Sequence, residues 1–332
     1  MFELIRMFQR ELSVSGGENT LADVIAGVLE PVADNISRDA MGNLIVYKKG
    51  RYGAKKVMIA AHMDEIGFVA TAIEDSGMIR VSNIGGINPV ASSYTPVEFE
   101  NGVKGVLVIE DGTKQDDISN KKLLVDIGAE NASAAKRRVH VGDFCACAPM
   151  LYRLNKNRIV SKAFDDRLGC AVAAYAALNC KKPAFDTYFV FTVQEELGCR
   201  GSKPAAFSVM PDYALAIDVT PAPAAGNPNK LTVKLGAGAA VKVKDSSVIC
   251  SPLLVDRLAE LAEEKKIKYQ YEVLSAGGTD TSSMQIAGTG CHAACISIPT
   301  RYVHTPVETV DLRDVKACAD LMIAFIGEGM EE

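Results

Sequence analysis

The chain has 332 residues, 48% of them hydrophobic and 23% charged, the balance of a globular protein long enough for two domains. Its net charge of −5 supplies neither a basic footprint for nucleic acid nor a polybasic patch for a membrane surface. No stretch approaches the roughly 18 apolar residues of a membrane helix, and the charged first ten residues do not read as a signal peptide, so a cytoplasmic protein is expected.

An amphipathic helix is expected first. Leu21, Val24, Ile25, Val28 and Leu29 recur at helical spacing, with Asn19 or Thr20 placed to cap it. Two short strands follow, at 35–37 and Leu44–Lys48, around a Met41-Gly42-Asn43 turn. The apolar run 56–61 reads as a buried strand that ends at His62. From 66 to about 158 the texture changes: strand-like pieces at 68–72, 97–99 and 105–108 alternate with Gly-containing turns, and only 133–138 suggests a short helix. This stretch reads as a mostly β, small barrel-like domain inserted into a host made of residues 1–65 and 159–332.

Helix and strand then alternate again. Helices are expected at 166–178, 253–265 and 315–326, and strands at 188–193, 213–217, 269–274 and 293–298. That order implies an α/β fold with a mixed, largely parallel sheet flanked by helices. The Pro- and Ala-rich stretch 221–226 reads as a mobile loop. The nine cysteines form no CxxC pair and are expected to be reduced thiols.

Three of the apolar strands end in side chains that can bind metals: His62-Met63-Asp64-Glu65, Gln194-Glu195-Glu196 and Asp218-Val219-Thr220. In open α/β sheets, sites gather beyond the carboxyl ends of strands. Asp165-Asp166 opens a helix, and His304 follows the last apolar strand. Singly, each has a plainer reading. An acidic pair at a helix start caps it and complements its dipole. A lone histidine is more often packed than ligating, and His140 and His292 are left to that reading. Together the strand-end groups supply two histidines and several carboxylates to one place, a set suited to two hard-to-borderline cations.

The motifs HMDEIG, KAFDDRLG, VQEELGCRGS, AIDVT, GGTDTSS and PTRYVHTPVE occur in that order across essentially the whole chain. They resemble those of the TET-type metallo-aminopeptidases, the glutamyl and deblocking aminopeptidases that form tetrahedral dodecamers. The resemblance implies a zinc-peptidase-like fold, peptide substrates, two divalent ions per chain (zinc or cobalt), and a homo-oligomer built from dimers through the inserted domain. It implies that His62 and Asp218 hold one ion, that Glu196 and His304 hold the other, and that Asp165 bridges them. Glu195 would be the general base and acid. Asp64 would hydrogen-bond the His62 imidazole and fix its tautomer, and the Asp165–Asp166 peptide would be cis. Residues 235–240 depart from the Gly-Pro often found there in the family, a difference that bears on side-chain preference.

Other readings use the same residues differently. Glycoside hydrolysis, a label some relatives carry, would employ two carboxylates. The chain has no Trp and only 6% aromatic residues from which to build a sugar platform, and paired histidines would have no purpose there. A dinuclear deacylase or carboxypeptidase on the same scaffold, and a scaffold protein without catalysis, complete the alternatives.

Overall fold

The structure is a computed structural model that describes residues 1–53, 55–224 and 232–330. Two helices open it, α1 (Phe2–Phe8) and α2 (Asn19–Leu29). The α2 helix buries Leu21, Ala22, Ile25 and Leu29, close to the stripe expected. Asn19 is its first helical residue, not its cap. The cap position falls to Glu18, whose side chain turns away to accept from the backbone N–H groups of Gly16 (2.9 Å) and Gln194 (3.1 Å). The α1 helix has only seven residues, too few to show a period in the sequence.

Three strands follow, β1 (Asn35–Arg38), β2 (Leu44–Lys48) and β3 (Lys56–His62). Six more, β4 (Gly67–Ile73), β5 (Ile79–Ile84), β6 (Thr95–Phe99), β7 (Lys104–Ile109), β8 (Leu123–Asp126) and β9 (Phe144–Cys147), close into an antiparallel barrel in the order β4-β5-β8-β7-β6-β9. Two short helices, α3 (Pro89–Ser92) and α4 (Ala132–Lys136), lie between them in sequence. Phe68, Val81, Val97, Phe99, Leu107 and Val125 fill the barrel interior, which gives it a core of its own.

After the barrel the chain returns to the first sheet. It adds β10 (Leu151–Arg153), β11 (Arg158–Ser161), β12 (Asp186–Thr192), β13 (Tyr213–Pro221), β14 (Ala239–Lys244), β15 (Tyr269–Val273), β16 (His292–Arg301) and β17 (Glu308–Asp311). The result is a mixed 11-stranded sheet. Its four central strands run β12-β3-β13-β16 and are parallel to one another, while the flanking pairs are mostly antiparallel. Of the stretch expected to be mobile, residues 225 and 226 lie outside the described residues.

The middles of the central strands are largely apolar because helices cover both faces. On one side Val57, Ile59, Leu215, Ile217, Ala294 and Ile296 pack against α5 (Phe164–Asn179), α7 (Pro252–Glu264) and α9 (Leu312–Glu328). On the other, Met58, Ala60, Ala214, Ala216, Ala293 and Cys295 pack against α6 (Ser202–Val209) and α8 (Asp280–Gln285). The period-2 alternation of strand side chains therefore separates two cores, and the second is built of small residues that let short helices approach closely. No helix of the described residues is long and apolar enough to cross a membrane.

Candidate active site

Parallel neighbours end on the same edge of a sheet, so β12, β3, β13 and β16 deliver their following residues to one place. His62 closes β3, with Thr192 of β12 as its register partner. Glu195 and Glu196 lie just beyond β12. Asp218 sits in the second half of β13, and His304 follows β16 by three residues. Asp165 comes from the first turn of α5, where the Asp165–Asp166 peptide is cis, as the resemblance implied.

Both histidines are oriented from behind by a carbonyl. The Nδ1 of His62 lies 3.0 Å from the carbonyl oxygen of Asp64, and that of His304 lies 2.9 Å from the carbonyl oxygen of Gly86, in the barrel segment. A carbonyl can only accept, so Nδ1 carries the hydrogen in each ring and Nε2 faces the acids. Nε2 of His62 is 3.0 Å from Asp165 Oδ1 and 3.9 Å from Asp218 Oδ1. Nε2 of His304 is 3.2 Å from Asp165 Oδ2 and 3.2 Å from Glu196 Oε1. The Asp165 carboxylate thus turns one oxygen to each histidine.

Asp64 meets the His62 ring twice: its carbonyl lies 3.0 Å from Nδ1, and its carboxylate Oδ1 stands 3.5 Å from the same nitrogen. The fully buried carboxylate also accepts from the backbone N–H groups of Glu195 (2.9 Å) and Glu196 (3.1 Å) and from Ser15 Oγ (2.6 Å). Its chief geometric effect is to fix the backbone from which both glutamates project.

Burial and mutual repulsion set the electrostatics. Burial pushes the carboxyl groups of Asp218 and Glu195 well above the usual range, and neighbouring acids add to it. Glu196 is raised for the same leading reason, although His304 pulls against the shift. Burial disfavours a charge on His304, but Asp165 and Glu196 outweigh it and push the ring up to about 12. The only basic side chains within ion-pair distance of Asp165, Glu196 and Asp218 among the described residues are the two histidines. Lys242, on the same cleft wall, is committed to Asp245 (3.1 Å) and Glu272 (2.6 Å).

The donor set fits divalent cations. Two imidazoles with tethered Nδ1, surrounded by buried carboxylates short of positive charge, are what borderline ions select. The Nε2-to-oxygen spacings of 3.0–3.9 Å bracket the edge of roughly 3.4 Å that tetrahedral bonds near 2.1 Å require.

Residues that the strand-end reading did not single out complete the site. Glu308, the first residue of β17, accepts from the backbone N–H of Asp165 (3.0 Å) on one oxygen and from that of His304 (2.8 Å) on the other. It therefore ties two site residues together. Its only sequence signal was its place in the last motif. Asp166 accepts from the backbone N–H groups of Gly169 (2.9 Å) and His62 (3.3 Å). His140 and His292 lie away from the cluster, but both are exposed and not packed as expected. Val219, Pro221, Leu274, Ala276 and Val303 line the rest of a cleft of about 550 Å³ over these groups. A depression of about 650 Å³ around Asp212 and His292 lies at the opposite ends of the parallel strands, remote from the acids.

A family model described as M42 glutamyl aminopeptidase matches residues 42–321. The chain is 42% identical over 329 residues to a protein of Acetivibrio thermocellus that carries a provisional aminopeptidase name, with 98% of each chain covered. It is 34% identical to a lysyl aminopeptidase of Pyrococcus furiosus, over 98% of this chain and 97% of the other. Among solved structures it is similar to an aminopeptidase of Desulfurococcus kamchatkensis at TM-score 0.95 and 38% identity, covering 98% of this chain and 94% of that one. The TET1 peptidase of Pyrococcus horikoshii, described as assembling into a tetrahedron or a large octahedral shell, matches at TM-score 0.89 and 30% identity, covering 98% and 99%. A Thermotoga maritima structure described as an endoglucanase matches at TM-score 0.84 and 31% identity, covering 98% and 97%.

Proposed function

The chain belongs to the M42 glutamyl aminopeptidase family and is an aminopeptidase that removes N-terminal residues from peptides, and from that premise we propose that it works with two divalent cations and Glu195 as its proton-transfer group. The observation that best supports this is the Asp165 carboxylate, which presents one oxygen to His62 and the other to His304. His62 and Asp218 would hold one cation, Glu196 and His304 the other, and Asp165 would serve both. Zinc or cobalt suits this nitrogen and oxygen donor set. When bound, such a pair lowers the pKa of a water, polarises the scissile carbonyl and stabilises the developing oxyanion.

The chain's own groups supply the rest. Glu195 adjoins a ligand position, and no ion pair with a histidine engages it among the described residues, so its carboxylate can take the proton of the attacking water and pass it to the leaving amine. Asp64 fixes the backbone of Glu195 and Glu196, and Glu308 that of Asp165 and His304. The cleft has no Phe, Tyr or Trp among its described lining residues, which favours a peptide over a sugar. We read 1–65 and 159–332 as the catalytic unit and 66–158 as an inserted domain for subunit contact. By likeness to a TET1 structure described as a dodecamer, we propose a dodecamer built from dimers, and we place it in the cytoplasm on the sequence reading alone.

Metal removal tests the mechanism. Protein stripped with a chelator should lose activity on aminoacyl chromogenic substrates, and added zinc or cobalt should restore it. Elemental analysis should find two ions per chain. Full turnover in a rigorously metal-free sample would refute the mechanism.

A further inference from the structure

The cleft wall carries a cysteine whose thiol points at the proposed base. Cys199 Sγ donates to Glu195 Oε1 at 3.0 Å, and no other hydrogen-bond donor reaches that carboxylate among the described residues. The contact is built by a tight turn. The N–H groups of Gly198 and Cys199 both donate to the Glu195 carbonyl, at 2.7 and 2.8 Å, while Arg200 N–H reaches Gln194 O and Gly201 N–H reaches Val193 O. Gln194 and Cys199 take φ values of +56° and +53°, a region that side-chain-bearing residues occupy at a cost and only where the surroundings hold them.

A further neighbour of Glu195 on this side is an acid. Potential ligand atoms of Glu195, Cys199 and Asp280 all lie within 4.8 Å of one another. Asp280 is 2% exposed and accepts from Thr192 Oγ1. Without the thiol, no hydrogen bond among the described residues would hold the Glu195 carboxylate beside this acid.

We infer that Cys199 is a positioning residue for the aminopeptidase reaction: its thiol fixes Oε1 of Glu195, so that Oε2 is the oxygen left to take the proton of the attacking water. The inference rests on reading Glu195 as the base. Burial, together with the charges of Glu195 and Asp280, holds the Cys199 thiol above the ordinary thiol range. It therefore stays protonated, a donor and not a nucleophile.

The test uses the metal-loaded enzyme and a chromogenic aminoacyl substrate. C199A should lower kcat by about tenfold, the worth of one hydrogen bond to a charged group, with KM, metal content and Tm unchanged. C199S keeps a donor and should recover most of that loss. C199G relaxes the backbone and also lacks a donor, so it covers the case of an alanine variant that does not fold; it should lose kcat as C199A does. A crystal structure of C199A should show the Glu195 carboxylate rotated from its place. Placed on E195Q, C199A should add nothing, because the two act as one unit. Wild-type kcat in C199A, or C199S falling as far as C199A, overturns the inference. If E195Q itself turns over normally, the assignment of the base is what fails. An inactive E195Q beside a fully active C199A sinks the positioning role alone.

Discussion

Glu195 and Glu196 share one backbone anchor, the Asp64 carboxylate, yet their side chains part company. Glu196 Oε1 lies 3.2 Å from His304 Nε2, whereas Glu195 Oε1 meets the Cys199 thiol at 3.0 Å. Adjacent residues of the same type should therefore fail differently. Glu195→Gln keeps the shape and removes the base, so turnover should fall by about 10²–10⁴-fold, the usual worth of a positioned proton-transfer group, while both metals remain. Glu196→Gln removes an anionic donor, so one ion should bind more weakly and activity should return partly in excess metal. Elemental analysis beside kcat for the two variants checks this. A metal lost from the first variant and kept in the second would exchange their roles. His62, Glu195, Glu196, Asp218 and His304 stood out in the sequence because each lies at or just beyond the end of an apolar strand, whereas Asp165 opens a helix and gained its bridging place only from the family resemblance. Glu308 and Asp280 did not: a carboxylate that braces backbone N–H groups or a hydroxyl leaves no periodic trace, and its partners lie far along the chain.

Helix α5 shows how an element's interior can be governed by the site it opens. Its moment is weak to the eye because nearly every residue from Phe164 to Ala177 is buried, so the sequence showed an Ala-rich helix but no face. Gly169 lies in that helix, where Gly→Ala ordinarily stabilises by about 1 kcal/mol. Here an added Cβ would sit 2.2 Å from Asp166 Oδ2, in a fully buried spot. Asp166 is the group that receives the His62 backbone N–H. Gly169→Ala should therefore reverse the usual sign and destabilise by roughly 1–3 kcal/mol, as overpacking does. It should also weaken metal binding through His62. Thermal unfolding and metal titration measure both effects, and a raised Tm would show that Asp166 can move without cost. The long elements were legible for physical reasons. Strands buried on both faces read as apolar runs, and α7 carries a clear amphipathic stripe. The elements that escaped were short, among them α1, α3, α6, α8, β5, β8, β9, β10, β11, β14 and β17, too brief to show a local pattern.

At the scale of the whole molecule the barrel segment meets the site along one edge, where Gly85 abuts Glu196 and Phe68, Ile87 and Cys147 share a small cavity with Asp165, Glu196 and His304, and it turns a large surface elsewhere. At that edge the Gly86 carbonyl orients His304, and the missing side chain matters: a Cβ there would lie 3.1 Å from His304 Nδ1. On the outside, Pro96 of β6 pairs directly with Val106 of β7, and residues so paired share a face. Val106 is 42% exposed, and Tyr94, just before β6, is 70% exposed, while Val97, Phe99 and Leu107 turn into the barrel core. An exposed aromatic beside exposed apolar strand residues has the composition of a contact surface. If the inserted domain joins subunits, this face is where charge should do most harm. The double variant Tyr94→Asp, Val106→Lys should fall to smaller species in light scattering at micromolar concentration. It should keep kcat on a small aminoacyl substrate within about twofold, since it touches no group used in proton transfer. It should also lose any bias for peptides over folded proteins that a closed shell imposes, because its clefts would stand open to solvent. A variant that assembles like the wild type would remove this face from the interface, and a wild-type protein that is only a monomer would remove the shell itself.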